Sequence, residues 1–297
     1  MELEGLVVPS LTLFDAQGEV DGPSNARFAR DLQDEGIRHI FVLGSLGEFP
    51  GLDFEERSRL LEAVVESCTF PSDVWSGVGA PSTKLALAFA DQAETLGASV
   101  LVATPPYYLH PDAFGLRDYY RSLRRQTRLP LLAYNIPSLV GYALEPGLVH
   151  ELATEGVLNG IKDTSGSLDS IRSFLRGAPE GFAVLPGDDP LVLPALKEGA
   201  AGGIMGTANV LPRLDVEFMD AARKKDWVTA EKLHDLIQGL HALFFRAPFP
   251  SSVKFLAQYL RQTPVGYRSP YLPLTEEQQN RLKEDLRRWE DSFRQYV

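Results

Sequence analysis

Only one cysteine, Cys68, stands among the 297 residues, so no internal disulfide is available and a cysteine-rich zinc site lacks its ligands. Basic residues are in the minority. The 29 Lys and Arg against 40 Asp and Glu leave a formal charge of −11, which disfavours nucleic acid or an anionic membrane as partner, because phosphate binding needs clustered cations. No apolar run approaches the about 18 residues that a membrane-spanning helix takes. The start, Met1-Glu2-Leu3-Glu4, is acidic where a secretory leader is basic, and Pro9 interrupts the apolar stretch behind it. These absences predict a reducing, cytoplasmic setting. The five histidines, His39, His110, His150, His234 and His241, form no His-Glu-x-x-His and no tight pair, so neither a metal nor another cofactor is expected. A P-loop and a Gly-x-Ser-x-Gly elbow are missing too. What remains is ordinary for a globular chain: 44% hydrophobic and 23% charged residues.

The first two-thirds alternates between two textures. Short, β-branched apolar stretches at 6–14, 37–43, 74–78, 99–103, 129–134, 157–161, 182–185 and 203–205 read as strands. Between them lie longer stretches with helical spacing. One opens on the capping box Asp53-Phe54-Glu55-Glu56, and 83–96 and 112–126 are two more. Glycines at 36, 97, 156 and 199 end helix-like runs, where the chain needs a left-handed turn. Alternation of this kind means a parallel sheet with helices outside it. Eight strands favour an α/β fold of the (β/α)8 TIM-barrel type over an open doubly wound sheet. The stretch Gly77-Val78-Gly79-Ala80-Pro81-Ser82 only approximates a dinucleotide fingerprint, since it ends in Ser and carries a Pro. After residue 212 the strands stop. Stretches 212–225, 227–243, 250–262 and 275–295 read as helices, the last with a capping box at Thr275 and Gln278 and a stripe of Leu282, Leu286, Trp289 and Phe293. The predicted division is a catalytic barrel over 1–225 and a helical extension over 226–297 that packs on it.

In a parallel barrel, chemistry gathers where strands end on the C-terminal face. Gly44-Ser45-Leu46-Gly47-Glu48 lets backbone N–H groups approach a carboxylate, and it equally suits a tight turn without a ligand. Pro105-Pro106-Tyr107-Tyr108 and Tyr134-Asn135-Ile136-Pro137 carry phenols that fit proton transfer or plain packing. Gly160-Ile161-Lys162-Asp163-Thr164-Ser165-Gly166 closes an apolar strand with a lysine, which points either into the barrel mouth or into solvent. Pointed inward, it is desolvated and becomes a nucleophile toward carbonyls. Strand alternation puts Thr164 on the side of Lys162 and Asp163 on the opposite face. Gly187-Asp188-Asp189 and Gly206-Thr207-Ala208-Asn209 offer room for a substrate and an acid to accept hydroxyls, although Asp189 before Pro190 also suits a helix cap.

In this order and spacing, Gly44-Ser45-Leu46-Gly47-Glu48, Pro106-Tyr107-Tyr108, Tyr134-Asn135-Ile136-Pro137, Gly160-Ile161-Lys162-Asp163 and Gly203-Ile204 resemble the dihydrodipicolinate synthase / N-acetylneuraminate lyase family of class I aldolases, over nearly the whole chain. The resemblance implies a (β/α)8 barrel with a helical extension. It implies that Lys162 forms a Schiff base with a 2-oxo acid, that Tyr134 relays protons, and that Ser45 hydrogen-bonds Tyr134. It further implies that the backbone N–H groups of Ser45 and Leu46 hold the carboxylate. Tyr108 matches the tyrosine that reaches a neighbouring subunit's site in the synthases. Thr164, Gly187, Asp189, Ile204 and Gly206 complete the candidate substrate contacts.

Departures bear on the substrate. Leu46 stands where synthases carry a second Thr, and Leu139 where they carry an Arg that holds the second carboxylate. Pro190 stands where sialic acid lyases are acidic. The motifs look most like 2-keto-3-deoxy-sugar-acid and 4-hydroxy-2-oxoglutarate aldolases. The expected function is therefore a class I lyase that joins pyruvate to an aldehyde or splits the product, working as a homo-oligomer (tetramer or dimer). The alternatives are 4-hydroxy-tetrahydrodipicolinate synthase, an imine-based dehydratase, or a catalytically silent barrel that binds 2-oxo acids.

Overall fold

The structure, a computed structural model, describes residues 3–68 and 74–296; Met1 and Glu2 of the acidic start lie outside that range. Eight strands alternate with eight principal helices. The strands are β1 (Gly5–Pro9), β2 (His39–Val42), β3 (Val74–Gly77), β4 (Val100–Ala103), β5 (Leu131–Asn135), β6 (Gly160–Asp163), β7 (Ala183–Pro186) and β8 (Gly202–Ile204). Each is parallel to its sequence neighbour from β1 to β7, and β1 also pairs with β8. The Ala201 N–H donates to the Val184 carbonyl at 3.0 Å beside β7, so the sheet closes on itself. This is the expected (β/α)8 barrel.

Both faces of the strands are buried, which explains their near-continuous apolar sequence. Alternate residues serve two cores. Val7, Phe41, Trp75, Val102, Leu132, Leu185 and Ile204 fill the barrel interior. Val8, Ile40, Val42, Leu101, Leu131, Ile161 and Val184 face the surrounding helices.

Local signals act where the sequence puts them. Asp53 and Glu56 exchange backbone-to-carboxylate hydrogen bonds at 3.0 and 2.8 Å and start the helix Phe54–Ser67. Thr275 and Gln278 start Glu276–Arg287 in the same way. Three stretches differ from expectation. The strand expected over 157–161 runs Gly160–Asp163, so it includes Lys162. The apolar run at 6–14 is strand only to Pro9, because the Leu11 and Leu13 N–H groups donate to the side chains of Asn209 and Asn25 instead of a ladder. The helix expected over 275–295 breaks after Arg287 and resumes at Glu290–Phe293. Trp289 lies between, against Gly239, where an added Cβ would come within 2.8 Å of its ring.

The helix Pro212–Arg223 completes the eighth strand–helix unit, and Trp227–Phe244, Ser251–Arg261 and Glu276–Arg287 follow. Among the described residues no helix is long and apolar enough to cross a membrane.

A buried ion pair binds this extension to the barrel mouth. Lys254, on Ser251–Arg261, meets Glu48, just beyond β2, at 2.5 Å, and both side chains are almost wholly buried. Burial pushes the Glu48 carboxyl up and the Lys254 amine down, and each partner works against the other's shift. Removing one member strands a buried charge. We therefore expect Lys254→Met to cost about 3–5 kcal/mol, and Lys254→Met with Glu48→Leu to recover most of it. Denaturant unfolding of both variants checks this; equal losses in the single and double variants would contradict it.

Candidate active site

The β5–β6 ladder sets the site. Its register pairs Tyr134 with Lys162 and Asn135 with Asp163. Because side chains alternate across a strand, the first pair shares the inner face and the second the outer one. Tyr134 packs in the interior cluster, and Lys162, only 4% exposed, lies beside it with Nζ 3.8 Å from the Tyr134 ring centroid and 5.7 Å from that of Phe41. An ammonium over an aromatic face is attracted by the ring's electrons. On the outer face, Asn135 Nδ2 donates to Asp163 Oδ1 at 2.7 Å and Ser165 Oγ donates to Oδ2 at 2.9 Å. Asp163 is thus the outer-face hydrogen-bonding partner that strand alternation predicts. Burial pushes its carboxyl up, and these donors oppose the shift.

The loop after β2 reaches the same place. Ser45 Oγ is 3.4 Å from Tyr134 Oη. The loop's shape depends on the small residues around Ser45 and Leu46: a Cβ on Gly47 would approach the Ser10 carbonyl to 3.0 Å, and one on Gly44 would strike the Phe41 ring. Glu48 turns in the left-handed region (φ 57°) and donates its N–H to the Ser45 carbonyl at 3.1 Å. The buried Lys254 ion pair holds that turn from outside the barrel.

The floor opposite is made by Gly187 and Thr164. A Cβ on Gly187 would sit 2.6 Å from Lys162 Cε and would also strike the Thr164 hydroxyl. Glycine here leaves the lysine its extended path. The Thr164 Oγ1 is buried and has no hydrogen-bond partner among the described residues, so it is a polar group turned toward the cavity without a mate.

These groups open into a cavity of about 370 Å³ at the C-terminal ends of the strands. Ser45, Leu46, Tyr134, Lys162, Thr164, Gly187, Asp189 and Gly206 all line it, so eight sequence-predicted residues converge. Asp189, however, is committed to the scaffold: its oxygens accept the N–H groups of Gly206 and Thr207 at 3.0 and 2.8 Å. Ile204 packs inside the barrel below the cavity. Tyr108 is 90% exposed with a left-handed φ of 73°, and within one chain it does not meet Lys162.

Several lining residues escape sequence reasoning. Asp188, named in the sequence only as part of its motif, lines the cavity beside Asp189; burial pushes its carboxyl up, while His241, Lys162 and the Gly166 N–H pull it down. His241 and Phe244 come from the helix Trp227–Phe244, and Phe245 and Phe249 from the turn after it. No local motif announces them. Among the described residues, no group of three or more His, Cys, Asp or Glu is arranged to hold a metal ion.

The comparisons with known proteins agree with this geometry. The sequence profile of the Dihydrodipicolinate synthetase family matches residues 2–289. An uncharacterized DapA-like lyase of Halobacterium salinarum is 34% identical over 96% of this chain and 93% of its own length. A 4-hydroxy-tetrahydrodipicolinate synthase of Methanopyrus kandleri is 31% identical over 97% of this chain and 96% of its own. Among solved structures, YagE of Escherichia coli K12, a prophage protein of the dihydrodipicolinic acid synthase family in complex with pyruvate, superposes with a TM-score of 0.92. It shares 30% identity, over 96% of this chain and 98% of that one. With the barrel, the inward lysine and a match over nearly the full length, the chain belongs to the dihydrodipicolinate synthetase family of lyases.

Proposed function

We propose that the protein is a class I aldolase that joins pyruvate to an aldehyde, or splits the resulting hydroxylated 2-oxo acid, through an imine on Lys162. The observation that carries this reading is the buried lysine paired in register with a tyrosine whose hydroxyl faces Ser45. The printed descriptions of solved relatives in complex with pyruvate support the pyruvate half.

The steps follow from the groups present. The Lys162 amine adds to the keto carbon of pyruvate, and water leaves to give an iminium. The iminium draws electrons from the adjacent C–H bond, a proton leaves, and an enamine forms. The enamine carbon bonds to the aldehyde carbon, and the aldehyde oxygen takes a proton to become a hydroxyl. Water then hydrolyses the imine and frees the amine. Cleavage is the reverse. Tyr134, hydrogen-bonded to Ser45, carries protons to and from the keto oxygen. The Ser45 and Leu46 N–H groups hold the carboxylate, and Thr164 supplies a hydroxyl on the opposite side.

A second reading, 4-hydroxy-tetrahydrodipicolinate synthase, is favoured by the names of several relatives. Among the described lining residues there is no arginine, and Leu139 occupies the wall, which supports the aldolase over the synthase. The same reading makes the working protein a cytoplasmic homo-oligomer. The exposed Tyr108, Leu109 and Phe114, at 90%, 77% and 80%, support it as an apolar surface for a second copy.

Incubation with pyruvate and borohydride is expected to add one reduced pyruvate to the protein's mass, and Lys162→Ala to abolish the gain. A gain that survives the substitution would sink the reading. Gly187→Ala pushes a methyl into the lysine's path, and trapping is expected to slow by roughly 100-fold in a folded protein. Tyr134→Phe keeps the ring under the amine and loses the hydroxyl. Its turnover is expected to fall roughly 10²–10⁴-fold in steady-state assays, and an unchanged rate would remove Tyr134 from proton transfer.

A further inference from the structure

Past the lysine, the cavity changes character. Its deep end carries Lys162, Tyr134, Ser45 and Thr164. Its outer wall is built by Ile136, Leu139, Phe244, Phe245 and Phe249. Phe245 and Phe249 stack with ring centroids 6.0 Å apart and 12° between planes, and His241 sets its ring against Phe245 at 5.1 Å. Phe244 is buried beneath them, whereas Leu139 and Phe245 are 63% and 64% exposed. Large apolar side chains left in water one by one need no explanation, but a cluster of them around the mouth of a reactive cavity does. A neighbouring cavity of about 410 Å³ shares Ser45, Ile136, Leu139 and Phe249; it continues the apolar wall with Phe49 and Val140 and also carries Glu48 and Thr104.

Beyond the deep end the polar side chains that line the cavity are Ser138, Ser165, Asp188, Asp189 and His241, of which Ser165 is engaged by Asp163 and Asp189 by the Gly206 and Thr207 amides. Lys162 and the His241 ring are the lining groups able to carry positive charge, and Lys162 is taken up by the imine. Asp188 lines the cavity with both of them. A second carboxylate on the aldehyde would lie against phenyl rings and a carboxyl. A polyol chain would lose water from each hydroxyl, and along the ring wall it would meet carbon, a cost that hydrogen bonds to Ser138, Asp188 and His241 could offset only for the hydroxyls on their side. A flat apolar group meets stacked rings instead, and one hydroxyl, the one formed from the aldehyde oxygen, is left for the polar side.

We propose that the aldehyde carries an aryl or similarly flat apolar group, so that the product is a 4-hydroxy-2-oxo acid with an apolar substituent on C4. This deepens the Schiff-base reading and rests on it. Sugar-acid and 4-hydroxy-2-oxoglutarate substrates, which the motifs resemble, are the rivals in the test.

The experiment measures kcat/KM for benzaldehyde, glyceraldehyde and glyoxylate with saturating pyruvate, beside borohydride trapping of pyruvate alone. Benzaldehyde is expected to exceed both others by roughly ten-fold or more, the discrimination an apolar pocket provides. In Phe245→Ala the benzaldehyde value should fall, and in Leu139→Arg the preference should swing toward glyoxylate, whose carboxylate the guanidinium would pair. Glyceraldehyde or glyoxylate turned over as well as benzaldehyde by the unsubstituted enzyme would overturn the proposal, as would no benzaldehyde turnover by an enzyme that traps pyruvate. An enzyme that traps none overturns the Schiff-base reading and this one with it, so trapping tells the two failures apart.

Discussion

The site depends on one register. β5 and β6 pair so that Tyr134 lies opposite Lys162, and the period of two in a strand does the rest. A slip of one residue would send the lysine into the helical layer and bring Asp163 into the barrel. The hydrogen bond from Asn135 to Asp163 on the other face opposes such a slip, since it exists only in the observed register. The same ladder that closes the barrel therefore fixes where the amine and phenol stand. The interior rings of Phe41 and Trp75, with Leu185, fill the space below them.

Around that pair the structure spends its glycines and its buried charges on backbone shape. Gly187 clears the path of the lysine, and Gly44 and Gly47 let the Ser45–Leu46 segment lie against the first strand's exit. Glu48 turns the chain left-handed immediately after, anchored by Lys254 from the C-terminal helices. Those helices do more than cover the barrel. They brace the loop that carries Ser45 and Leu46, and through Phe244, Phe245 and His241 they form the outer wall of the cavity. The barrel strands carry the lysine and the tyrosine, and the extension carries the rings at the cavity mouth.

Most of the inner site is legible in the sequence, because it follows from local rules. A lysine at the end of an apolar strand, a tyrosine at the end of the previous one and glycines around Ser45 are each visible within a few residues, and alternation correctly separates Thr164 from Asp163. The outer site is not legible. His241 and the three phenylalanines lie on a helix and turn whose spacing is that of ordinary packing, and only the way the extension crosses the barrel mouth brings them to Leu139. Asp189 shows the same limit from the other side: its sequence suits either a cap or a ligand, and the fold commits it to the Gly206 and Thr207 amides. The ion pair of Glu48 with Lys254 joins distant parts of the chain, so no local pattern announces it.

A crystal structure of the protein soaked with pyruvate tests the central claim most directly. Continuous density from Lys162 Nζ to the second carbon of pyruvate is expected, with the carboxylate on the Ser45 and Leu46 amides and Tyr134 Oη next to the new bond. Pyruvate bound without a bond to that nitrogen, or density joining it to any other lysine, would contradict the account.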